Sequence, residues 1–179
     1  MVKEGKKMKG TITDLLNRRS IRAYSSEQIT KEQLDDILKV GTYSASGMGK
    51  QSSTMVVVQD KETVEMLAKL NASITSSEDD PFYGAPTVII VFGDTNIRTY
   101  LQDASLVMGN LMNAAYAVGV DSCYINRAKE MFETEAGKEL LKKWGLTDNH
   151  VGVANCILGY HTGEYPEPAV RKDNYIIFD

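Results

Sequence analysis

An α+β (α/β layered) fold, with a central mixed sheet flanked by helices, is the architecture this sequence predicts. Three observations predict it. Helical and strand-like apolar patterns are intermixed along the chain rather than segregated. Thr87–Phe92 (Thr-Val-Ile-Ile-Val-Phe) is apolar at every position after the first, as in a strand buried on both faces. Leu101–Val118 carries apolar residues nearly all round a helix, as in an element packed on several sides.

The elements follow in order. Residues 1–10 contain four lysines and read as a solvated, flexible N-terminal arm. Residues 11–179 read as one domain, because no Pro/Gly/Ser linker or internal repeat divides them. Ile12, Leu15, Leu16 and Arg19 suit a short first helix capped by Thr11 or Thr13. Thr30 and Gln33 form a capping box for a helix that reaches Gly41, which is placed for a left-handed cap. Met55–Val58 is a β-branched strand. Asp60 caps a helix running to about Leu70. Asn71–Tyr83 is polar and rich in small residues, as in a long loop or lid. After the buried helix, Val120–Ile125 suits a short edge segment. Thr134–Trp144 is a helix stopped by Gly145, and Val151–Leu158 is another apolar strand. Pro166 and Pro168 keep the tail from being helical, and Tyr175–Phe178 looks like a strand in need of a sheet.

Composition narrows the function classes. The chain has 179 residues, a net charge of −4, 42% apolar and 25% charged residues. That is an ordinary globular composition without the basic stripe of a nucleic-acid binder. No apolar run approaches the ~18 residues of a membrane-spanning helix. The first ten residues lack the apolar core of a secretory signal, so the expected location is cytoplasmic. Two cysteines are too few for a disulfide scaffold, and Cys123 and Cys156 read as buried, inert thiols. His150 and His161 lack neighbours at metal-ligand spacing, so no metal site is expected.

Four segments can carry chemistry. Arg18-Arg19-Ser20-Ile21-Arg22 gathers three guanidiniums and a hydroxyl, donors that fork onto phosphate oxygens. A solvated basic helix end accounts for the same residues. Arg171-Lys172 would complete a phosphate cage if the tail packs back on the first helix. Ser44-Ala45-Ser46 through Gln51 is rich in small residues that let a ligand approach the backbone, and Ser46 and Gln51 suit a heterocycle edge. Gly119–Arg127 includes Tyr124 and Ile125, which can cover a flat ring, and backbone amides around Asn126 that can meet an acceptor atom. There is neither a Gly-x-Gly-x-x-Gly turn after a strand nor a Gly-x-Ser-x-Gly elbow.

Taken together, the segments resemble the nitroreductase family of FMN-dependent oxidoreductases. Arg18–Tyr24 is similar to the family's opening motif, Ser44–Gln51 to its flavin-contacting loop, and Ala85-Pro86 to the residues before its central strand. Asp103–Val118 is similar to its dimer-interface helix, and Gly119–Arg127 to the turn facing flavin N5. Gly159-Tyr160 and Arg171-Lys172 match its closing elements. Gly49 stands where the family has Asn, and Ser52-Ser53 where it has Pro-Trp.

The resemblance implies a nitroreductase-like fold, a homodimer, and a C-terminal strand exchanged with the partner. It implies FMN held by Arg18, Arg19, Ser20, Arg22, Ser44, Ala45, Ser46, Gln51, Tyr124, Ile125, Asn126, Arg171 and Lys172, with no catalytic side chain beyond the flavin. The implied reaction is ping-pong transfer of hydride from NADH or NADPH, through flavin N5, to a small acceptor such as a nitroaromatic or quinone. Two other readings stay open at this point. One is an FMN-binding protein with little turnover, for flavin storage or sensing. The other is a cofactor-free interaction dimer whose arginines meet an acidic partner.

Overall fold

A computed structural model describes residues 10–179. The arm expected over residues 1–10 lies outside the described residues except for Gly10, which opens helix α1 (Gly10–Asn17). Thr11 and Thr13 therefore sit inside α1 rather than at its cap. The other helices are α2 (Lys31–Thr42), α3 (Lys61–Ser73), α4 (Tyr100–Ala117), α5 (Ala128–Glu133) and α6 (Glu135–Lys143). The strands are β1 (Ser53–Val58), β2 (Thr87–Asp94), β3 (Asp121–Ile125) and β4 (His150–Gly159).

Strand order is β1-β2-β4-β3, and every neighbouring pair is antiparallel. The expected mixed sheet is thus corrected to an antiparallel one, and the parallel element is a single bridge from Ser20 to Ser122. The reason lies in the connection between β1 and β2. α3 carries the chain away and residues 74–86 bring it back, so β2 starts beside the end of β1, with Val58 opposite Val88. A parallel pair needs the chain returned to the other end.

The sheet separates two apolar layers, and β2 feeds both through its period of two. Val88, Ile90 and Phe92 face α3, α5 and α6 with Leu67, Phe82, Met131 and Phe132. Ile89 and Val91 face α2 and α4 with Ile37, Met108 and Leu111. Residues 88–92 are wholly buried, as the unbroken apolar run requires. Each such side chain contributes roughly 1.5–3 kcal/mol by leaving water.

Local signals account for the helix ends. The Thr30–Gln33 box closes in both directions, and Asp60 accepts from the Thr63 amide. Gly41 is not the left-handed cap: it lies inside α2 and is buried where α2 meets α4. A Cβ there would stand 2.9 Å from Leu111 and from Met55, so close packing is what requires glycine. Residues 71–83 are not a uniform loop either. Asn71 and Ala72 are buried in the last turns of α3, and Phe82 is buried in the core. Asp80 folds the segment down by accepting from the amides of Phe82 and Gly84.

The tail is tied at its start: the Tyr165 hydroxyl accepts from the Arg19 amide and donates to the Asn17 carbonyl. Among the described residues, Tyr175–Phe178 pairs with no strand, and its side chains are exposed.

One glycine makes a testable fold contact. A Cβ at Gly137 would lie 2.1 Å from the Met131 carbonyl oxygen and 2.6 Å from the Phe132 Cα, both backbone atoms that cannot swing away. Gly137→Ala should push α6 off α5 and cost about 1–3 kcal/mol, the usual range for overpacking. A urea titration should show a lowered midpoint with an unchanged slope.

Candidate flavin site

The arginine segment is held along the outer edge of β3. It starts just beyond α1, whose last turn ends with the Arg18 amide donating to Asp14. Ile21 then donates its amide to the Ser122 carbonyl at 3.1 Å, and the Tyr24 hydroxyl closes the turn on the Ile21 carbonyl. Burial pushes the Cys123 thiol up, and this is opposed by the charge of Arg22, a hydrogen bond with Ser20 and the charge of Arg18. Ser20 bridges Ser122, so the Arg18–Arg22 segment runs along β3, with the charges of Arg22 and Arg18 felt at Cys123.

Arg19 does not join them in the same way. Its Nη1 donates to the carbonyls of Leu16 and Arg18, so the guanidinium folds onto its own backbone. Among the described residues, Arg18 Nη1 and Arg19 Nε are buried without acceptors. A buried, unpaired donor costs about 1–3 kcal/mol, more when charged, and an anionic oxygen relieves that cost. Guanidinium and hydroxyl are also the donors that suit a phosphate. On this observation the residues present fit the phosphate of FMN.

Arg171 and Lys172 are exposed and stand outside that segment in the single chain. Arg171 donates to the Ala169 carbonyl, and Lys172 lies over the Tyr175 ring.

The second group comes from the segment between α2 and β1. Asn110 of α4 donates to the Ser44 hydroxyl at 2.9 Å. The Ser46 hydroxyl accepts from the Gln51 amide, and Ala45 and Gln51 are exposed. Met48, Gly49 and Gln51 all have positive φ, a costly conformation for the two that are not glycine. The loop is anchored by Asp103, a buried residue whose carboxylate accepts from the Gly47 amide, the Ser52 hydroxyl and the Thr99 hydroxyl at 2.9, 2.7 and 3.1 Å. Ser44, Ala45, Ser46 and Gln51 line a cleft of about 130 Å³ together with Asp103.

The third group follows β3. Tyr124 is half-buried, Ile125 is buried, and Asn126 is exposed. Arg127 adopts φ 72° and turns the chain into α5. Among the described residues, the amides of Asn126 and Arg127 have no acceptor. They are donors available to a ligand atom.

Tyr165, Asp103, Asn71 and Asn155 were not among the expected site residues, yet each supports one of these groups. Asn71 falls at a core position of α3, in step with Val64, Leu67 and Ala68. Asn155 interrupts the apolar run of β4. A polar residue at a core position was the available signal in both cases. The larger cavity, about 660 Å³ between α3 and residues 77–86, is lined by none of the expected cofactor residues.

The cysteines need no role at the site. Burial pushes the Cys156 thiol up to about 12. Thiolate is the reactive form, so iodoacetamide at pH 8 should leave Cys156 unlabelled in the folded protein. Both cysteines should be labelled in denaturant, as read by intact mass.

Among the described residues, no helix is long and apolar enough to cross a membrane. A family model described as the nitroreductase family matches residues 15–160. A protein of Archaeoglobus fulgidus, provisionally named NADH dehydrogenase/NAD(P)H nitroreductase, is 31% identical over 166 residues, covering 90% of this chain and 87% of that protein. A crystal structure of a nitroreductase with bound FMN from Bacteroides fragilis superposes with a TM-score of 0.87 at 25% identity, covering 96% of this chain and 99% of that one. A second, from Desulfitobacterium hafniense, gives 0.85 at 24% identity, covering 96% and 99%.

Proposed function

Since this chain belongs to the nitroreductase family, we propose that it is an FMN-dependent oxidoreductase. It passes hydride from NADH or NADPH to a small acceptor, a nitroaromatic, a quinone or a similar molecule, by ping-pong chemistry. The observation that carries this reading is the course of Arg18–Arg22 along β3, where Ser20 bridges Ser122, with a buried Arg18 nitrogen that lacks an acceptor among the described residues. Bound FMN supplies the hydride chemistry; the protein binds, orients and shields.

Arg18, Ser20 and Arg22 hold the phosphate. Arg19 contributes by fixing the turn, since its guanidinium braces the backbone that carries Arg18. Arg171 and Lys172 join from the tail when Arg171 leaves the Ala169 carbonyl. Tyr124 covers the ring, Ile125 packs into the core layer on the other face of β3, and Ser44, Ala45, Ser46 and Gln51 offer hydroxyl, backbone and amide groups to the ring's edge. The free amides at Asn126 and Arg127 supply a donor for N5. No acid–base side chain is required.

Residues 11–179 act as one FMN-binding domain, and the working unit is a homodimer. Leu15 and Leu16 on α1, Leu101 and Leu106 on α4, and Tyr175–Phe178 on the tail are all at least half exposed in the single chain. A second copy covers them, with Tyr175–Phe178 exchanged as a strand. Sedimentation should give twice the chain mass.

The experiment that tests the function is steady-state turnover of the FMN-loaded protein with NADH and NADPH against a panel of nitroaromatics and quinones. Parallel double-reciprocal plots are expected. Stoichiometric FMN binding with no turnover of any acceptor would instead support flavin storage or sensing.

A further inference from the structure

Two wholly buried asparagines meet behind the turn that ends β3. Asn71, from the last turns of α3, donates Nδ2 to the Asn126 carbonyl at 2.7 Å. Asn155, from the middle of β4, directs Nδ2 at the carbonyls of Ile125 and Asn126, at 3.4 and 3.5 Å. Both amide nitrogens also touch Met131 Sδ of α5. Arg127, left-handed at φ 72°, returns Nη1 to Asn71 Oδ1 at 3.2 Å. Two elements distant in sequence thus hold one peptide group from the core side.

Peptide geometry says what that hold does. In a trans peptide the C=O and the following N–H point in opposite directions. The carbonyl of Asn126 is drawn inward by a residue with no solvent exposure, so the Arg127 N–H on the same plane is turned outward. It has no acceptor among the described residues. A left-handed conformation in a residue other than glycine costs roughly 1–2 kcal/mol and persists only where the surroundings over-determine it. Here the backbone hold is the Asn71 nitrogen on the Asn126 carbonyl, while the Asn71 oxygen accepts from the Arg127 side chain.

We propose that Asn71, supported by Asn155, is a positioning residue for the flavin: it fixes the 126–127 peptide so that the Arg127 amide is the donor presented to the ring. The proposal rests on the FMN reading above. Asn71 itself does not touch the flavin. It acts through the turn, and Arg127 contributes its backbone amide rather than its charge.

The test is hydrogen exchange at the Asn126 and Arg127 amides with and without FMN, in the wild type, Asn71→Asp, Asn71→Ser and Arg127→Gly. FMN should slow exchange at these amides in the wild type. Asn71→Asp keeps the shape but removes the donor to Asn126. Asn71→Ser removes the same contact without adding charge. Either should lose about tenfold of the FMN-dependent slowing, the scale of one buried hydrogen bond, while FMN binding at the phosphate persists. Arg127→Gly accepts a positive φ without strain, leaves the Asn71–Asn126 bond in place, and should keep the slowing. FMN-dependent slowing retained in both Asn71 variants would overturn the proposal, whatever their melting temperatures, and so would its loss in Arg127→Gly. A wild type that binds FMN without slowing these amides would overturn it too. A wild type that binds no FMN would instead overturn the functional reading.

Discussion

Replacing Arg18 and Arg22 together by Ala is expected to strip FMN from the protein. Each guanidinium supplies charge-assisted hydrogen bonds, worth about 1.5–3 kcal/mol apiece, so the pair should weaken binding roughly 10²–10⁴-fold. The fold should survive the change. Arg22 is exposed, and the buried Arg18 Nη1 has no partner to lose among the described residues. Removing Arg18 also removes a buried unpaired donor, so the melting temperature without FMN should not fall. Quenching of FMN fluorescence during titration measures the affinity. Arg18→Lys alone should fall between wild type and the double variant, because lysine keeps the charge and loses the planar fork. Unchanged affinity in the double variant would mean that the phosphate sits elsewhere.

Asp103→Ala should have the next largest effect, through stability and loop order together. The carboxylate satisfies the Gly47 amide and the hydroxyls of Ser52 and Thr99. Deleting it leaves the Gly47 amide and the buried Ser52 hydroxyl without an acceptor, for roughly 1–3 kcal/mol each. The loop it anchors holds Met48 and Gln51 at positive φ, so that strain is released when the anchor goes. Loop opening has a direct readout, because trypsin cleaves after the exposed Lys50. Faster cleavage at Lys50 and a lower urea midpoint are expected together.

The same residue carries a pH dependence. Burial acts to raise the Asp103 carboxyl, and the hydrogen bonds from Gly47, Ser52 and Thr99 together outweigh it, so it sits below its ordinary value. A depressed carboxyl stabilises the fold fully above its unfolded value, about 3.9, and loses that contribution as pH falls through its folded value. The stability gap between wild type and Asp103→Asn should therefore be constant near neutrality and narrow in acid.

How far the structure was legible in the residues depends on whether a feature is local. The Thr30–Gln33 box, the Asp60 cap and the apolar run of β2 are each written in a few adjacent residues, and each forms as expected. Gly41 was misread because its constraint comes from Leu111 and Met55, distant in sequence. The sheet was expected to be mixed because strand direction depends on how far residues 74–86 carry the chain back, which no local pattern encodes. Polarity likewise suggested a long loop or lid over residues 71–83; residues 74–83 are indeed turns and irregular chain, whereas Asn71 belongs to α3 and Phe82 is drawn into the core.

The site divides in the same way. A dense segment such as Arg18–Arg22 stands out by residue type alone, although a solvated basic helix end has the same composition. The supports do not: Asp103, Asn71 and Asn155 are single polar residues within apolar elements. Their purpose appears only when α4 meets the 44–53 segment and when α3 and β4 meet the turn after β3. Among the described residues, Arg171 and Lys172 make contacts within the tail alone, to Ala169 and Tyr175.

The central claim is that FMN, held at Arg18, Ser20 and Arg22, exchanges hydride with a nicotinamide. The most direct measurement is the visible absorption of the purified, FMN-loaded protein, recorded anaerobically before and after one equivalent of NADH or NADPH. The account predicts a yellow protein whose flavin band bleaches on addition and returns when an acceptor is admitted. A protein that retains no flavin once excess FMN is removed, or a bound flavin that neither nucleotide bleaches, would contradict it.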